Sequence, residues 1–223
     1  MPTFREYTFL STNGKTKINV RRFDPDGPAR AVVQIAHGVA EHISRYDGFM
    51  EFLAQQGYIA LGNDHLGHGL SINDESELGW FDETDGWDKV VRDEKILRDK
   101  MRADYPGVPL ILLGHSMGSF IARTYIGLYP DDFDLCILSG TGHTPGAVCC
   151  AGRMMARREI RRHGSKYRSP TLQRMAFGSY LKGIENPIGA NDWICRDENV
   201  IRAYDADPLS GFKATAELMY EMM

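Results

Sequence analysis

One serine in the sequence has the surroundings of a catalytic nucleophile. Ser116 is the centre of the pentapeptide Gly114-His115-Ser116-Met117-Gly118. The apolar run 109–113 before it predicts a buried strand, and residues 119–126 after it predict a helix. A G-x-S-x-G sequence between a strand and a helix is typical of a nucleophile elbow, where a strained turn exposes the serine hydroxyl. Glycine is expected at both ends of the motif because so tight a turn leaves almost no room for side chains.

A serine hydroxyl at neutral pH also needs a base to take its proton and donors for the oxyanion that forms. In an elbow one donor is the backbone N–H of the next residue, here Met117, and the other comes from the loop after an earlier strand. The segment His37-Gly38-Val39 follows such a strand. The Val39 N–H is therefore the second candidate donor. The alternative is that His37 and Gly38 only form a turn that ends the strand.

The elements that would position these residues alternate along the chain. A hairpin is predicted from residue 6 to residue 23, with Asn13-Gly14 in its turn. The further predicted strands are 31–36, 58–62, 109–113 and 134–140, and the predicted helices between them are 45–56, 87–101 and 119–126. Such alternation predicts an α/β fold, a mostly parallel sheet flanked by helices, with the hairpin as an antiparallel edge. We expect the strand at 134–140 to be buried.

The pattern changes after Gly140. The stretch 141–174 is rich in Gly, Met and Arg and contains no strand-like run. Helices are predicted at about 147–162 and 197–204. We therefore divide the chain into a core at 1–140, an inserted helical segment at 141–207 and a return to the core at 208–223.

Three motifs occur in a fixed order: His-Gly-Val-Ala-Glu-His-Ile-Ser-Arg-Tyr at 37–46, Asn-Asp-His-Leu-Gly-His-Gly-Leu-Ser at 63–71, and the pentapeptide at 114–118. Together they resemble the α/β-hydrolase family of monoacylglycerol lipases and bacterial lysophospholipases. The resemblance implies an α/β-hydrolase fold whose helical cap is inserted after the strand that ends near Gly140. It also implies that Ser116 is the nucleophile.

The resemblance further implies roles around that serine. Val39 and Met117 would be the oxyanion donors, and Glu41, Arg45 and His115 would border the polar head of the substrate. For Glu41 and Arg45 the alternative is a structural ion pair at i,i+4 spacing.

The implied function is that of a serine carboxylester hydrolase acting on monoacyl lipids, a lysophospholipase or a monoacylglycerol lipase, with no metal or organic cofactor. Two alternatives stay open at this point. One is an amidase or peptidase on the same fold, and the other is a non-catalytic lipid-binding protein.

In the family the triad acid and base follow later strands of the sheet. After Gly140 the sequence shows no apolar strand followed by Asp or His. His143 and His163 lie in the cap-like stretch. We therefore expect that the C-terminal part of the fold is missing from these residues, and that the acid and base lie beyond Met223.

The charge, the cysteines and the histidine spacing limit which partners and ligands are expected. The net charge of -4, from 30 acidic and 26 basic residues, gives no reason to expect nucleic acid. Four cysteines, two of them adjacent, indicate reduced thiols in a cytoplasmic protein. His65 and His68 have a spacing that suits a metal, but no third ligand is apparent and none is expected.

The cap-like stretch is the candidate for lipid contact. It is basic and contains Met154, Met155 and Met175, which suit an acyl-chain tunnel and a peripheral membrane contact. Plain packing and a solvated cationic helix are the alternatives.

Overall fold

One six-stranded sheet organises the protein, and the computed structural model describes every residue from Met1 to Met223. The strands are β1 (Thr3–Leu10), β2 (Lys17–Asp24), β3 (Val32–Ala36), β4 (Ile59–Asn63), β5 (Leu110–His115) and β6 (Leu135–Ser139). The α-helices are α1 (Asp47–Gln55), α2 (Gly86–Asp104), α3 (Met117–Leu128), α4 (Gly146–His163), α5 (Pro170–Phe177), α6 (Glu198–Ala206) and α7 (Ala216–Glu221). Two short 3-10 helices are Ile43–Tyr46 and Glu75–Glu77.

The strands lie across the sheet in the order β1-β2-β4-β3-β5-β6. β1 pairs antiparallel with β2, and β2 with β4, while β3 to β6 run parallel to one another. The predicted parallel sheet with an antiparallel hairpin at its edge is confirmed. The chain leaves β3 toward β4 on one side and later returns to β5 on the other. The loops after β3 and β5 therefore flank a crevice at the carboxyl ends of the strands, where open α/β sheets bind ligands.

Side chains of β3 alternate between two apolar layers. Val33 and Ile35 pack with Met50 of α1 on one face. Val32 packs with Leu97 of α2 on the other. All five side chains are nearly inaccessible to water, and burying each contributes roughly 1.5–3 kcal/mol. Helices on both faces keep the central strands in place under the crevice.

The segment after β6 is helical. The helices predicted at 147–162 and 197–204 correspond to α4 and α6, whereas α5 was not predicted. Leu218 and Met219 of α7 belong to the same buried cluster as Ile121 of α3, so the chain packs against the core again at this point. None of the helices combines the length and the hydropathy that crossing a bilayer requires.

The expectation of a buried strand at 134–140 is correct about the strand and wrong about its burial. β6 pairs with β5 alone and forms an edge of the sheet. Leu135, Ile137 and Leu138 are 52%, 41% and 37% exposed. A continuous apolar run is typical of a parallel strand covered on both faces. Burial, however, depends on which elements pack against the strand, and the run itself carries no information about them.

Glu217 is an acidic side chain within the core. It is 5% exposed. Its Oε2 accepts a hydrogen bond from the Phe81 N–H at 3.2 Å, and its Oε1 has no partner. Burial raises the pKa of Glu217 from 4.5 to about 8. The folded protein therefore holds a proton at neutral pH that the unfolded chain releases.

We expect Glu217→Gln to raise the free energy of unfolding at pH 8 and to change it little at pH 4. Between the unfolded pKa of 4.5 and the folded pKa of about 8 the folded state binds more protons, so wild-type stability falls as pH rises through this window. The shift corresponds to roughly 5 kcal/mol at its upper end. A neutral amide removes this dependence.

Urea unfolding at several pH values across that window measures the effect. Glu198→Gln is the matched control, because Glu198 is exposed on α6. The control is expected to keep the wild-type slope of stability against pH. A Glu217→Gln protein with that same slope would contradict the prediction.

Candidate active site

Ser116 lies at the turn between β5 and α3, where the strand, turn and helix were predicted. Its backbone has φ 51° and ψ -119°, a strained conformation for a residue with a side chain. The Ser116 N–H donates to the Ser139 carbonyl at 2.9 Å. The Ser116 carbonyl accepts from the N–H of Ser119 at 2.9 Å and from its hydroxyl at 2.6 Å. These bonds on both sides hold the serine in the strained turn.

Close backbone packing explains the two glycines of the motif. A Cβ on Gly114 would lie 2.4 Å from the Gly118 carbonyl oxygen, and a Cβ on Gly118 would lie 2.0 Å from that of Ala36. Both distances are far shorter than any real carbon–oxygen contact. The elbow is therefore pressed directly against the end of β3.

The loop after β3 runs beside the serine. A Cβ on Gly38 would lie 3.2 Å from the Cβ of Ser116. The Val39 N–H makes no hydrogen bond within the chain. The Met117 N–H, at the first position of α3, has no acceptor in its own helix. Two N–H groups thus lie near the serine without a helix or strand partner, as an oxyanion hole requires.

Glu41 ties this loop together. Its Oε1 accepts from the Gly38 N–H at 2.6 Å and from the Tyr46 hydroxyl at 2.8 Å, and its Oε2 accepts from the Arg45 guanidinium. Burial, and then the charge of Glu41, raise the pKa of the Tyr46 hydroxyl, so that it remains a donor. The structural ion pair considered for Glu41 and Arg45 is present, although Glu41 precedes the 3-10 helix rather than lying on it.

A small cavity of about 90 Å³ opens at the serine. Its core side is lined by Ser116, Val39, Glu41, Arg45 and His115. The last four are the residues predicted to lie near the substrate, and the fold brings them together beside Ser116. Met117 is not part of the lining and is 1% exposed. Its backbone N–H, not its side chain, is the group of interest.

Residues of the helical stretch after β6 cover the cavity, and sequence reasoning missed almost all of them. They are Phe177, Tyr180, Trp193, Ile194 and Tyr204. A second cavity of about 470 Å³ shares Val39, Phe177, Trp193 and Tyr204 with the first. A further cavity, of about 870 Å³, lies within residues 183–205 and does not include Ser116.

Contacts across the fold bind this segment to the loop after β3. The Tyr204 hydroxyl donates to the Ala40 carbonyl at 2.7 Å, and its ring lies 4.8 Å from the Arg45 guanidinium carbon. His42 Nε2 lies 2.5 Å from Asp207 Oδ2. Burial acts to raise the pKa of Asp207, but the hydrogen bonds with His42, the Leu209 N–H and the Ser210 hydroxyl together outweigh it, and the pKa is lowered. The two hydrogen-bonded pairs are 164 and 165 residues apart, and such separations leave no signal in the local sequence.

No histidine of residues 1–223 hydrogen-bonds the Ser116 hydroxyl. His115 Nδ1 instead lies 3.3 Å from the Ser139 hydroxyl. His143 and His163 have no hydrogen bond to the serine either, as expected from their place in the sequence. The described residues contain no cluster of His, Cys, Asp or Glu arranged to hold a metal ion. All four cysteines are free thiols.

A family model described as serine aminopeptidase, S33 matches residues 27–223. Among curated proteins, a monoacylglycerol lipase of Mycolicibacterium smegmatis is 31% identical over 93% of this chain. Human monoglyceride lipase is 28% identical over 85% of it. The resemblance inferred from the three motifs is thereby confirmed.

Solved structures agree on the fold. A carboxyl esterase from Bacillus coagulans, crystallised with glycerol, is 29% identical with a TM-score of 0.87, over 99% of this chain and 71% of that one. The α/β-hydrolase fold is therefore confirmed. The chain spans 65% and 55% of the lengths of the mycobacterial and human relatives.

Proposed function

This chain belongs to the serine aminopeptidase S33 family, and we propose that the protein is a serine hydrolase that cleaves carboxylic esters of monoacyl lipids. The observation that carries the proposal is the pairing of a strained serine with the unbonded Val39 N–H beside it. Such a pairing stabilises nothing in the fold. It matches what ester hydrolysis requires at the carbonyl carbon and at its oxygen.

In the proposed reaction the Ser116 hydroxyl attacks the ester carbonyl, while the Val39 and Met117 N–H groups hold the oxyanion. The serine proton passes by way of a general base to the departing alcohol, and water then hydrolyses the acyl-enzyme. Glu41, Arg45 and His115 border the polar head of the substrate. No residue among 1–223 is assigned as the triad acid or base.

The inserted segment 141–207 is proposed to be the cap over this site. The cavity of about 470 Å³ beyond the serine has the size of a typical ligand site. Phe177 and Trp193 line it, which suits an acyl chain. A monoacyl lipid fits this pair of cavities, with its ester at Ser116 and its chain under the cap.

A peripheral membrane contact through the cap and a cytoplasmic location are also proposed. Met154, Met175 and Ile188 are 64%, 54% and 86% exposed on the cap. The basic residues of α4 accompany them. Apolar side chains beside cations favour the interface of an anionic membrane.

The test is a comparison of initial rates on a monoacylglycerol, a lysophospholipid and an aminoacyl-anilide. It uses the full-length natural protein, because the relatives are longer than this chain. We expect turnover of one or both monoacyl esters and background rates on the anilide. The family description makes peptidase activity the specific rival. Faster cleavage of the anilide than of either ester would favour that rival and overturn the proposal.

A further inference from the structure

Beneath the loop after β3 lies a chain of buried polar side chains that the proposed chemistry does not use. Glu94 comes from α2, His65 from the loop after β4, and His37 from the end of β3. None of the three is more than 1% exposed. Replacing a buried polar pair by apolar residues of similar volume is often neutral or stabilising. Stability alone therefore does not explain why these three polar side chains are buried together.

The His37 ring has a defined tautomer. Its Nε2 accepts a hydrogen bond from the His65 backbone N–H at 3.1 Å, so its proton lies on Nδ1. His37 Nδ1 donates that proton to the Gly38 carbonyl oxygen at 2.7 Å. Burial, and then the neighbouring His65, hold the pKa of His37 well below its usual value. The ring therefore stays neutral in this tautomer.

This bond sets the direction of the Val39 N–H. The Gly38 carbonyl and the Val39 N–H belong to one peptide unit, and the chain contains no cis peptide bond. In a trans peptide the carbonyl and the N–H point in opposite directions. The His37 ring holds the oxygen on its own side, so the Val39 N–H points away from it.

His65 and Glu94 support the preceding peptide unit, between His37 and Gly38. His65 Nε2 donates to the His37 carbonyl oxygen at 3.2 Å. Its Nδ1 lies 3.2 Å from Glu94 Oε1, within ion-pair distance, and neither of these two buried atoms has a hydrogen-bond partner. Glu94 Oε2 accepts from Gln34 Nε2 of β3 at 2.6 Å. Glu94 is therefore held from β3 with its second oxygen beside the Nδ1 edge of the His65 ring, where it limits rotation of that ring.

We infer that Glu94 is a positioning residue: acting through His65, it holds the His37–Gly38 backbone so that the Val39 N–H is aimed at the oxyanion formed over Ser116. The inference rests on the proposed function, since it assumes that Val39 is an oxyanion donor. Glu94 touches no substrate. Its contribution is to the rate of the chemical step and not to substrate affinity.

The first test is the kinetics of Glu94→Met in the full-length protein on a monoacyl ester. Loss of one oxyanion donor lowers kcat by about 10²–10³-fold. Misdirecting a donor that is still present is expected to lower kcat by about 10- to 100-fold, with KM within about threefold. Glu94→Gln is expected to recover most of this loss, because its amide N–H donates to His65 Nδ1 and its oxygen accepts from Gln34.

Asp93→Asn is the matched control. Asp93 is also buried on α2, but it accepts from Ser11 and Thr12 and makes no hydrogen bond to His65. The kcat of the Asp93→Asn protein is expected to equal that of wild type. If Glu94→Met does not fold, Gln34→Met is the alternative variant, because it removes the hydrogen bond from Gln34 to Glu94 Oε2. This variant should lower kcat without changing KM.

The second test is independent of turnover. Amide and imidazole ¹⁵N NMR spectra of the same variants report the Val39 N–H and the two histidine rings directly. Glu94→Met is expected to move the Val39 amide and His65 ring signals, whereas Asp93→Asn leaves them in place. Unchanged kcat together with an unchanged Val39 amide in Glu94→Met would overturn the inference, as would an equal loss of kcat in Asp93→Asn. A wild-type protein without ester turnover would refute the proposed function, while the Val39 signal would still decide the positioning role.

Discussion

Ser116→Ala is expected to abolish ester hydrolysis in the full-length protein, with a loss in kcat of at least about 10⁴-fold. Alanine has no side-chain oxygen on which the acyl-enzyme could form. The fold is expected to persist, because the Ser116 side chain makes no hydrogen bond to a histidine. Labelling by a fluorophosphonate probe, which requires an activated serine, is expected to disappear together with turnover.

Ser179→Ala is the control for this variant. Ser179 is exposed in the proposed cap, and its replacement is expected to leave both turnover and labelling intact. A Ser116→Ala protein with wild-type turnover would remove the serine from the mechanism. Failure of the intact wild-type protein to label at all would favour the non-catalytic lipid-binding alternative.

Gly118→Ala is expected to destabilise the protein by about 3–5 kcal/mol or to prevent folding. The added Cβ would lie 2.0 Å from the Ala36 carbonyl oxygen and 2.7 Å from that of His37. Both atoms are backbone, so relief requires the elbow and β3 to separate. Any folded fraction is also expected to lose activity, because that movement displaces the loop that carries Val39.

Gly127→Ala provides the comparison within the same helix. A Cβ at Gly127 meets no atom within 4 Å, and alanine in a helix is favoured over glycine by roughly 0.5–1 kcal/mol. Urea unfolding of the two variants therefore separates close packing at the elbow from helix propensity. Equal stability of the two proteins would contradict the tight contact between α3 and β3.

The elbow and the alternation of strands and helices could be predicted from the sequence, because both are local patterns. A strand followed by G-x-S-x-G and a helix spans fewer than twenty residues, and apolar periodicity reports one element at a time. The three ordered motifs then identified the family. The Val39 N–H was reached in the same way, from its place after a predicted strand.

Burial and long-range partners were decided by the tertiary structure. Leu135 and Ile137 of β6 have the composition of a covered strand, yet they are exposed, because β6 lies at the edge of the sheet and the elements packed against it leave these side chains uncovered. The contact of Tyr204 with Ala40 joins residues 164 positions apart. No pattern within either segment specifies the other.

The same distinction applies at the proposed catalytic serine. The sequence by itself determined which residue is the candidate nucleophile, since the strained turn is encoded by five consecutive residues. It did not determine how the neighbouring N–H is aimed. That direction depends on His37, His65 and Glu94, which come from three elements and meet only when β3, β4 and α2 are packed together. Local chemistry therefore specified the serine, and packing decided its surroundings.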